Sequence, residues 1–361
     1  MERLTILNIA YPFAPVRADT AGGAEQVLAM IDSALVSSGH RSLVIAAEAS
    51  CISGTLLPVP NRTGRIDDRL REAAYRDMHG AIARALDGYP VDVMHFHGID
   101  FRCYLPPDGP PALITMHLPL AWYAPGDFTG SRGCTFYNCV SATQQRSAPP
   151  GMQLLPYIEN GVPVEALQMQ RERKPFALSL GRICPEKGFH LALDAAAAAG
   201  IPYLIAGEVF RHDAHELYYR EEILPRLDHA SRRFIGAVGF EAKRRLLNSA
   251  KCLLAPSLVD ETSSLAAMEA LACGTPVIAY PSGALRDIVD HGVTGFLVNS
   301  VDEMVRGIRK AGRIDSEACR KSARERFSSG RMTAAYLETY DKLARCSLKN
   351  GAHAGERNQY N

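Results

Sequence analysis

Short runs of aliphatic and β-branched residues recur along this chain, and stretches with apolar residues at helical spacing separate several of them. Such runs predict buried strands, and their alternation with helices predicts βαβ units with parallel sheets. In the first part of the chain the runs are residues 4–10, 43–47, 56–59, 91–96, 112–116, 136–140 and 154–158, with helical stretches at 24–37 and 65–86. We therefore predict an α/β domain over residues 1–170.

A second series follows a break in this pattern. The charged segment at residues 171–175, Arg-Glu-Arg-Lys-Pro, suits neither a helix nor a strand and is typical of a linker. Strand-like runs resume at residues 176–180, 203–206, 233–235, 252–255, 276–279 and 296–298, with helical stretches at 188–199 and 264–272. They predict a second doubly wound α/β domain over residues 171–330. A last helix at about 331–346 precedes a polar tail, residues 347–361, that we expect to be disordered.

The composition is typical of a soluble globular protein, with 47% hydrophobic and 22% charged residues. A formal net charge of +1 gives no electrostatic footprint for nucleic acid or for an anionic membrane. We expect no nucleic-acid partner and at most peripheral membrane contact. Nine cysteines are spread singly, which predicts reduced thiols in the cytoplasm and no structural metal site. Glu2 and a broken apolar run argue against a signal peptide.

The segment over residues 256–279 carries the strongest chemical signal. A predicted strand ends near its start, Glu261 lies in the following loop, and small polar residues stand where a helix should begin. The N–H groups and dipole of such a helix favour phosphate oxygens, and ligands of open α/β sheets bind at the carboxyl ends of strands. Two glutamates eight residues apart are usually solvated. Glu269, however, lies in an otherwise apolar helix, where a carboxylate needs a partner such as a pair of sugar hydroxyls.

Two loops that contain glycine add further candidates. The first, Gly-Arg-Ile-Cys-Pro-Glu-Lys-Gly at residues 181–188, follows a predicted strand and brings Arg182 and Lys187 to the edge of the sheet. Two cations at this position suit a diphosphate, although an ordinary exposed loop would have the same pattern. In the second loop, Gly22 and Gly23 follow the first strand and open a helix, where bare backbone can approach a ligand closely.

Together these segments resemble the family-4 retaining glycosyltransferases, which have the GT-B fold. The pattern GRxxxEKG, and later the pair Glu261 and Glu269 running into EALACGTPVIA, carry the resemblance. Further landmarks occur in the expected order at residues 22–23, 38–40, 160–162, 234–236 and 292–298. The resemblance implies two Rossmann-like domains facing across a cleft, with a nucleotide-sugar donor in the second domain and the acceptor mainly in the first. It also implies that the final helix crosses back onto the first domain.

The resemblance further implies roles for individual residues. Arg182 and Lys187 would hold the diphosphate. Glu261 would contact the donor sugar, and Glu269 would bind the ribose hydroxyls. The other residues expected to contact the donor are Gly22, Gly23, Gly236, Val238, Thr262, Ser263, Ser264 and Leu265. Glu-Thr-Ser-Ser stands here in place of the commoner Glu-Pro-Phe-Gly, which leaves the identity of the donor sugar open.

Histidine and aromatic residues of the first domain supply the remaining candidates. His117 ends a predicted strand and resembles the active-site histidine of the family, which contacts the donor sugar. His95 and His97 flank a phenylalanine and are expected to point to opposite faces, which makes His97 the better candidate for the acceptor side. Trp122 and Tyr123 lie in a long stretch rich in proline and glycine, which is either an acceptor loop or an irregular connection.

The sequence thus predicts a retaining glycosyltransferase that moves a sugar from a nucleotide sugar, with UDP the commonest base in the family, to an acceptor hydroxyl. The acceptor is a saccharide, a lipid-linked saccharide or a small metabolite. No Asp-x-Asp motif stands out, so we predict a metal-independent enzyme without a cofactor. The alternatives are a sugar-nucleotide epimerase, a phosphorylase and a catalytically silent binding subunit. A dinucleotide-dependent oxidoreductase is disfavoured because no GxGxxG follows the first strand.

Overall fold

Two parallel six-stranded sheets organise the part of the chain that a computed structural model describes, residues 2–20, 22–62, 64–128, 132–228 and 230–356. Each sheet belongs to one compact unit. The first unit comprises Met1–Val140, Gln145–Ile158 and Met332–Asn361, and the second comprises Ser141–Gln144 and Glu159–Arg331. The prediction of two parallel α/β domains is therefore confirmed. The units divide at residue 158, whereas the sequence placed the boundary at residue 170.

The two sheets have the same strand order. The strands are β1 (Thr5–Ile9), β2 (Arg41–Ala47), β3 (Thr55–Val59), β4 (Val93–Phe96), β5 (Ala112–Met116), β6 (Thr135–Cys139), β7 (Lys174–Leu180), β8 (Tyr203–Ala206), β9 (Arg232–Phe234), β10 (Ala250–Ala255), β11 (Val277–Ala279) and β12 (Gly295–Leu297). The orders are β3-β2-β1-β4-β5-β6 and β12-β11-β10-β7-β8-β9, the doubly wound Rossmann arrangement. The strand order reverses between the neighbouring parallel strands β1 and β4 in one sheet and between β7 and β10 in the other. Loops that leave these strands therefore meet at the carboxyl edge, where such folds bind ligands.

Helices connect the strands. They are α1 (Gly23–Ser37), α2 (Asp68–Gly88), α3 (Ala142–Arg146), α4 (Val164–Leu167), α5 (Phe189–Ala199), α6 (Asp213–Tyr218), α7 (Phe240–Ser249), α8 (Leu265–Ala272), α9 (Leu285–Ile288), α10 (Val301–Lys310), α11 (Ser316–Arg326) and α12 (Ser329–Glu356). Short 3-10 turns occupy Phe101–Cys103, Leu120–Trp122, Pro125–Phe128, Pro185–Lys187, Leu224–Arg226 and Ala311–Arg313, and a π turn occupies Tyr219–Ile223. Every residue of β1, β4 and β5 is buried, as expected for strands covered by helices on both faces. Among the described residues, no helix combines the length and hydropathy needed to cross a membrane.

The apolar run at residues 154–158 is not a strand. The backbone N–H groups of Leu155 and Ile158 donate to carbonyl oxygens of β6 at 2.8 and 3.0 Å. Pro156 lies between them and has no N–H group to donate, so a regular ladder cannot form there.

The charged segment at residues 171–175 is not a linker, because β7 begins at Lys174. The guanidinium group of Arg173 is largely buried and donates to the carbonyl oxygens of Ala250 at 2.8 Å and Cys273 at 3.1 Å. These carbonyls belong to the residues that end α7 and α8. Burial lowers the pKa of Arg173. The guanidinium group of Arg173 therefore supplies hydrogen bonds to carbonyl groups at the buried ends of two helices.

Helix α12 is longer than predicted. The sequence placed a helix at about 331–346 and a disordered tail at 347–361, but the backbone remains helical through Glu356. Extending an existing helix by one residue is far easier than nucleating a new one, which explains how a polar sequence continues it. Residues 357–361 of the predicted tail lie outside the described residues. From Met332 onward the helix belongs to the first unit, where Tyr336 and Tyr340 are fully buried.

Replacing Gly188 with alanine should destabilise the protein more than the same change at Gly200. The two glycines flank α5 with φ of +62° and +66°, so each alanine costs about 1 kcal/mol of backbone strain. At Gly188 the new Cβ would lie 2.2 Å from the carbonyl oxygen of Pro256, whereas nothing lies within 4 Å at Gly200. Urea denaturation should give a loss at least about 1 kcal/mol larger for Gly188→Ala. Equal losses would contradict the close approach.

Candidate functional site

Two loops are in direct backbone contact at the point where the second sheet reverses its strand order. One loop follows β7 and the other follows β10. The N–H group of Leu258 donates to the carbonyl oxygen of Glu186 at 2.8 Å. Gly188, in a left-handed conformation, allows the carbonyl group of Pro256 to approach its Cα closely. The two strongest sequence motifs therefore meet at the carboxyl edge of one sheet.

This contact brings Lys187 and Glu261 together. The Lys187 Nζ lies 2.6 Å from Oε1 of Glu261, and both side chains are mostly buried. The hydroxyl of Ser257 donates to the same carboxylate oxygen at 2.5 Å. The backbone of Glu261 is fixed as well, because its carbonyl oxygen accepts from the N–H group of Ala284 at 2.7 Å. Sequence reasoning predicted both charged residues as site residues, but not their direct pairing.

Arg182 lies on the same loop as Lys187. Its guanidinium carbon is 5.8 Å from the centroid of the Phe210 ring, a cation–π contact that leaves hydrogen-bonding groups at the rim of the guanidinium. The side chain is therefore positioned by packing against an aromatic ring.

Helix α8 begins beside these charges without a side-chain cap. Ser264 occupies the N-cap position, and its side chain accepts no hydrogen bond from the first turn. Helical geometry gives the first-turn N–H groups, including that of Leu265, no partner within the helix. The hydroxyl oxygen of Ser263 is buried and has no hydrogen-bond partner. The predicted stretch from Thr262 to Leu265 thus forms a helix N-terminus of the kind that binds anions.

Glu269 is buried in α8 and forms an ion pair that the sequence did not predict. The Lys243 Nζ on α7 lies 2.5 Å from its Oε1, and the two side chains are 12% and 4% exposed, respectively. A buried carboxylate needs such a partner. Lys243 was not predicted because α7 has the mixture of polar and apolar residues that is typical of a surface helix. No local pattern shows which of its basic side chains faces inward.

Three glycines line the carboxyl edge of β7, β8 and β9. The N–H group of Gly207 donates to the carbonyl oxygen of Gly236 at 2.9 Å, and a Cβ on Gly207 would lie 1.8 Å from the carbonyl oxygen of Gly181. Gly236 has φ of +74°, which favours glycine. Val238 follows as a half-buried residue. Gly207 was not predicted, although it follows a strand in the same way as the other two glycines.

In the first unit, His95 is held by a buried hydrogen-bond network. Because Thr115 Oγ1 donates to Asn138 at 2.7 Å, it accepts a hydrogen bond from His95 Nε2–H, also at 2.7 Å. The other ring nitrogen, Nδ1, therefore accepts from the hydroxyl of Tyr340 at 2.7 Å. These contacts assign one tautomer to His95 and attach α12 to the sheet.

The expectation that His95 and His97 point to opposite faces is wrong. Residues two apart on a strand share a face, and the two ring centroids are 3.9 Å apart. Both imidazoles are buried, and His97 Nδ1 lies 3.1 Å from Nε2 of His117. We assign the proton to His97 Nδ1, because His97 Nε2 has no partner and this assignment leaves a lone pair there rather than an N–H group.

The histidine cluster is uncharged at neutral pH. Burial is the main cause of a lowered pKa in His95, His97 and His117, and it lowers the pKa of His117 to about 4. Proximity of the other imidazoles adds to the lowering for His95 and His97. His117 thus presents a neutral imidazole whose tautomer is set by His97.

The other predicted residues of the first unit separate into surface and core. Trp122 is exposed, whereas Tyr123 is 5% exposed and lies in the core, where its ring is 6.0 Å from that of Phe128. The ring of Tyr123 therefore packs in the core, and its role as an acceptor contact stays a prediction. Gly22 is the N-cap residue of α1, and a Cβ on it would lie 1.9 Å from Oε2 of Glu25.

Gly23 opens α1. Gly22 therefore makes room for the Glu25 side chain, which folds back over the start of the helix.

A polar cluster that the sequence did not reveal lies after β4. The hydroxyl of Tyr75 hydrogen-bonds with both Asp100 and Arg71, and burial raises the pKa of Asp100. Oδ2 of Asp100 and the hydroxyl of Tyr104 are buried without a hydrogen-bond partner. The partners come from α2, far away in sequence, so only the position of Asp100 just after a strand could have indicated the cluster.

A cavity of about 660 Å³ lies at the other edge of the first sheet. Its walls include Leu86, Tyr89 and Pro107, which come from the end of α2 and from segments that precede β4 and β5. Parallel sheets bind ligands at their carboxyl edge, so this cavity lies apart from the candidate site.

Comparison with known proteins finds sequence similarity in the second unit. Residues 167–326, less than half of the chain, match the family model described as Glycosyl transferases group 1. A phosphatidyl-myo-inositol mannosyltransferase from Mycobacterium leprae is 31% identical over 157 residues. The matched part is 40% of this chain and 40% of that relative, so the chain spans about two fifths of the relative's length.

Solved structures match almost the whole chain. AviGT4, a glycosyltransferase involved in avilamycin A biosynthesis, has a TM-score of 0.68 at 22% identity, covering 95% of this chain and 98% of that one. HepE from Anabaena, in complex with UDP and glucose, has a TM-score of 0.70 at 17% identity, covering 94% and 100%. At these identities the likeness shows the fold alone, which is the GT-B fold of glycosyltransferases.

Removing the Lys243 ammonium group should strongly destabilise the protein. Lys243→Met would leave the Glu269 carboxylate buried and unpaired, at a cost of about 3 kcal/mol in the free energy of unfolding. Lys342→Met, which breaks the exposed ion pair with Glu338, is the control and should cost less than about 1 kcal/mol. Denaturant titrations measure both values. Adding Glu269→Gln to Lys243→Met should recover part of the loss, and a double variant no more stable than Lys243→Met would contradict the buried pair.

Stability should fall as the pH drops from about 6.5 to about 4. The buried histidines have a lower pKa in the folded state, so the unfolded chain binds more protons in this window and acid favours unfolding. His117→Gln should reduce the slope of unfolding free energy against pH by up to about 1.4 kcal/mol per pH unit. His79→Gln, at an exposed position, is the matched control. Identical slopes for the two variants in denaturant titrations at stepped pH would refute the assignment.

Proposed function

We propose that this chain, whose second unit carries the group 1 glycosyltransferase sequence in a GT-B fold, is a retaining glycosyltransferase. It moves a sugar from a nucleotide-sugar donor to an acceptor hydroxyl. The observation that carries the proposal is the convergence of Lys187, Glu261 and the N-terminus of α8 where the second sheet reverses its strand order.

The charges at this edge suit a departing diphosphate. As the bond between sugar and phosphate breaks, negative charge grows on the phosphate oxygens. Arg182 and Lys187 supply two positive charges, and the first-turn N–H groups of α8 add a partial one. Because these groups can neutralise the leaving group, we propose a reaction that needs neither a metal nor a cofactor.

The pairing of Lys187 with Glu261 couples binding of the donor's sugar to binding of its diphosphate. Sugar hydroxyls that donate to the Glu261 carboxylate would compete with the ammonium group for its oxygens. The released ammonium group of Lys187 would then turn to the phosphate. One ligand would engage both motifs at once.

Glu269 is proposed to bind the ribose of the donor. Two neighbouring hydroxyls can donate to one carboxylate, and Lys243 holds that carboxylate in place. We propose UDP as the nucleotide, with the backbone near Gly236 and Val238 facing the base. HepE, which has the same fold, binds UDP, and this supports the choice. The donor sugar stays open.

The first unit is proposed to supply the acceptor side. His117, predicted as the histidine that contacts the donor sugar, presents a neutral imidazole that can hydrogen-bond with a hydroxyl of that sugar without bringing charge. The Asp100 carboxylate holds an unpaired oxygen that suits a further hydroxyl. The acceptor class is a saccharide, a lipid-linked saccharide or a small metabolite. In the proposed reaction the donor phosphate takes the proton of the acceptor hydroxyl. This step requires no protein nucleophile and is compatible with retention of the anomeric configuration. The proposed location of the protein is the cytosol.

Lys187→Met should lower kcat by about 10²–10³-fold, because its charge matters most as the diphosphate leaves. The affinity for UDP, measured by calorimetry, should fall less than kcat does. Lys310→Met, at an exposed position on α10, should change neither quantity. The assay follows UDP release from UDP-sugars with mixed saccharide acceptors, with and without EDTA.

Three outcomes would contradict the proposal. UDP-sugar binding, measured by calorimetry, without transfer to any acceptor would favour a silent binding subunit. Conversion of the UDP-sugar into an isomer without acceptor and without UDP release, followed by chromatography, would favour an epimerase. Complete loss of activity in EDTA, restored by magnesium, would exclude the metal-independent reaction.

A further inference from the structure

Three side chains with different metal-binding atoms lie together beside the loop that follows β7. Cys184 precedes the 3-10 turn Pro185–Lys187, Glu186 lies within it, and His215 lies on α6. The thiol sulfur, a carboxylate oxygen and a ring nitrogen are all within 4.8 Å of one another. This is the one cluster of three or more such residues found among the described residues.

Two of the three side chains have unsatisfied atoms. Glu186 Oε2 and His215 Nδ1 are buried and have no hydrogen-bond partner. Native proteins leave few buried polar atoms unpaired, and an unpaired cluster points to a bound ion or water. Cys184 is almost fully buried, and its thiol makes weak hydrogen-bonding contacts with the carbonyl oxygen of Arg182, at a sulfur–oxygen distance of 3.7 Å, and with the Glu186 side chain. The thiol is therefore held only weakly, and Glu186 Oε2 and His215 Nδ1 have no partner.

We propose that Cys184, Glu186 and His215 bind one Zn²⁺ ion. Thiolate, imidazole and carboxylate are the ligands that zinc takes, whereas Mg²⁺ and Ca²⁺ take oxygen ligands alone. Ligand atoms around a tetrahedral zinc lie roughly 3.5 Å apart, so no separation within the cluster has to shorten by more than about 1.3 Å. Three protein ligands leave one position for water. The thiol releases its proton when the sulfur–zinc bond forms, and no electron transfer is involved.

The charge balance favours this assignment despite a neighbouring cation. The thiolate and the carboxylate offset both charges of the ion, so Arg182 would face a neutral site. In the metal-free state the negative charge of the Glu186 carboxylate lies on the same loop as Arg182. Zinc would remove this negative charge from the neighbourhood of Arg182.

The site would control the loop that carries the two cations. Cys184 and Glu186 lie in sequence between Arg182 and Lys187, and His215 would tie this loop to α6. Zinc would therefore change the affinity for UDP, a consequence that rests on the proposed function. Zinc binding itself does not rest on it.

The test uses the full-length chain freed of metal by a chelator. Zn²⁺ is titrated in competition with a chromophoric chelator, and Co²⁺ is added separately to look for the near-ultraviolet absorption band of a cobalt–thiolate bond. We expect one equivalent of Zn²⁺ and a clear band. Cys184→Ser should abolish the band, and both Cys184→Ser and His215→Gln should weaken zinc binding by at least about 100-fold.

Matched controls come from exposed residues of the same types. Cys51→Ser and His79→Gln should leave the zinc affinity within about threefold of the original chain. Circular dichroism confirms that each variant is folded, and Cys184→Ala replaces Cys184→Ser if the latter unfolds. Absence of stoichiometric zinc binding, or a thiolate band that survives in Cys184→Ser, would overturn the proposal. A UDP titration of the metal-free chain tests the donor site separately.

Discussion

The second unit depends on the approach of two backbones where its sheet reverses strand order. Gly188 meets the carbonyl group of Pro256, and the N–H group of Leu258 donates to Glu186. Any side chain at Gly188 would push the loops apart. Because they touch through main-chain atoms, the charged side chains they carry are brought within ion-pair distance without a flexible intermediary. Main-chain contacts of this kind preorganise a site at little cost in side-chain entropy.

The two units stabilise buried polar groups by opposite means. The second unit pairs two of its carboxylates with lysines, Glu261 with Lys187 and Glu269 with Lys243. The first unit keeps its imidazoles neutral and links them through hydrogen bonds to a tyrosine, a threonine and one another. Both arrangements avoid an isolated buried charge. They differ in their response to acid, because protonation disrupts a neutral imidazole cluster directly.

Local patterns in the sequence predicted the parallel sheets and the charged loops, since strand runs and glycine-bounded loops are encoded by neighbouring residues. The partners of those loops could not be predicted. Lys243 meets Glu269 across 26 residues and lies on a helix with an ordinary amphipathic pattern. The prediction that His95 and His97 point to opposite faces was wrong, because residues two apart on a strand lie on the same face. Arg173 was misread because its charge, which suggested a linker, serves the buried ends of two helices.

The attachment of α12 to the histidine cluster has a consequence for the order of folding. Tyr340 hydrogen-bonds with His95 across a separation of 245 residues. During synthesis, β4 and β5 leave the ribosome long before this hydroxyl is available. The segment Glu159–Arg331, by contrast, is complete before α12 emerges. The first unit therefore starts to be synthesised before the second but is completed after it. Until α12 is available, His95 lacks its tyrosine partner and the side of the core that α12 covers stays exposed.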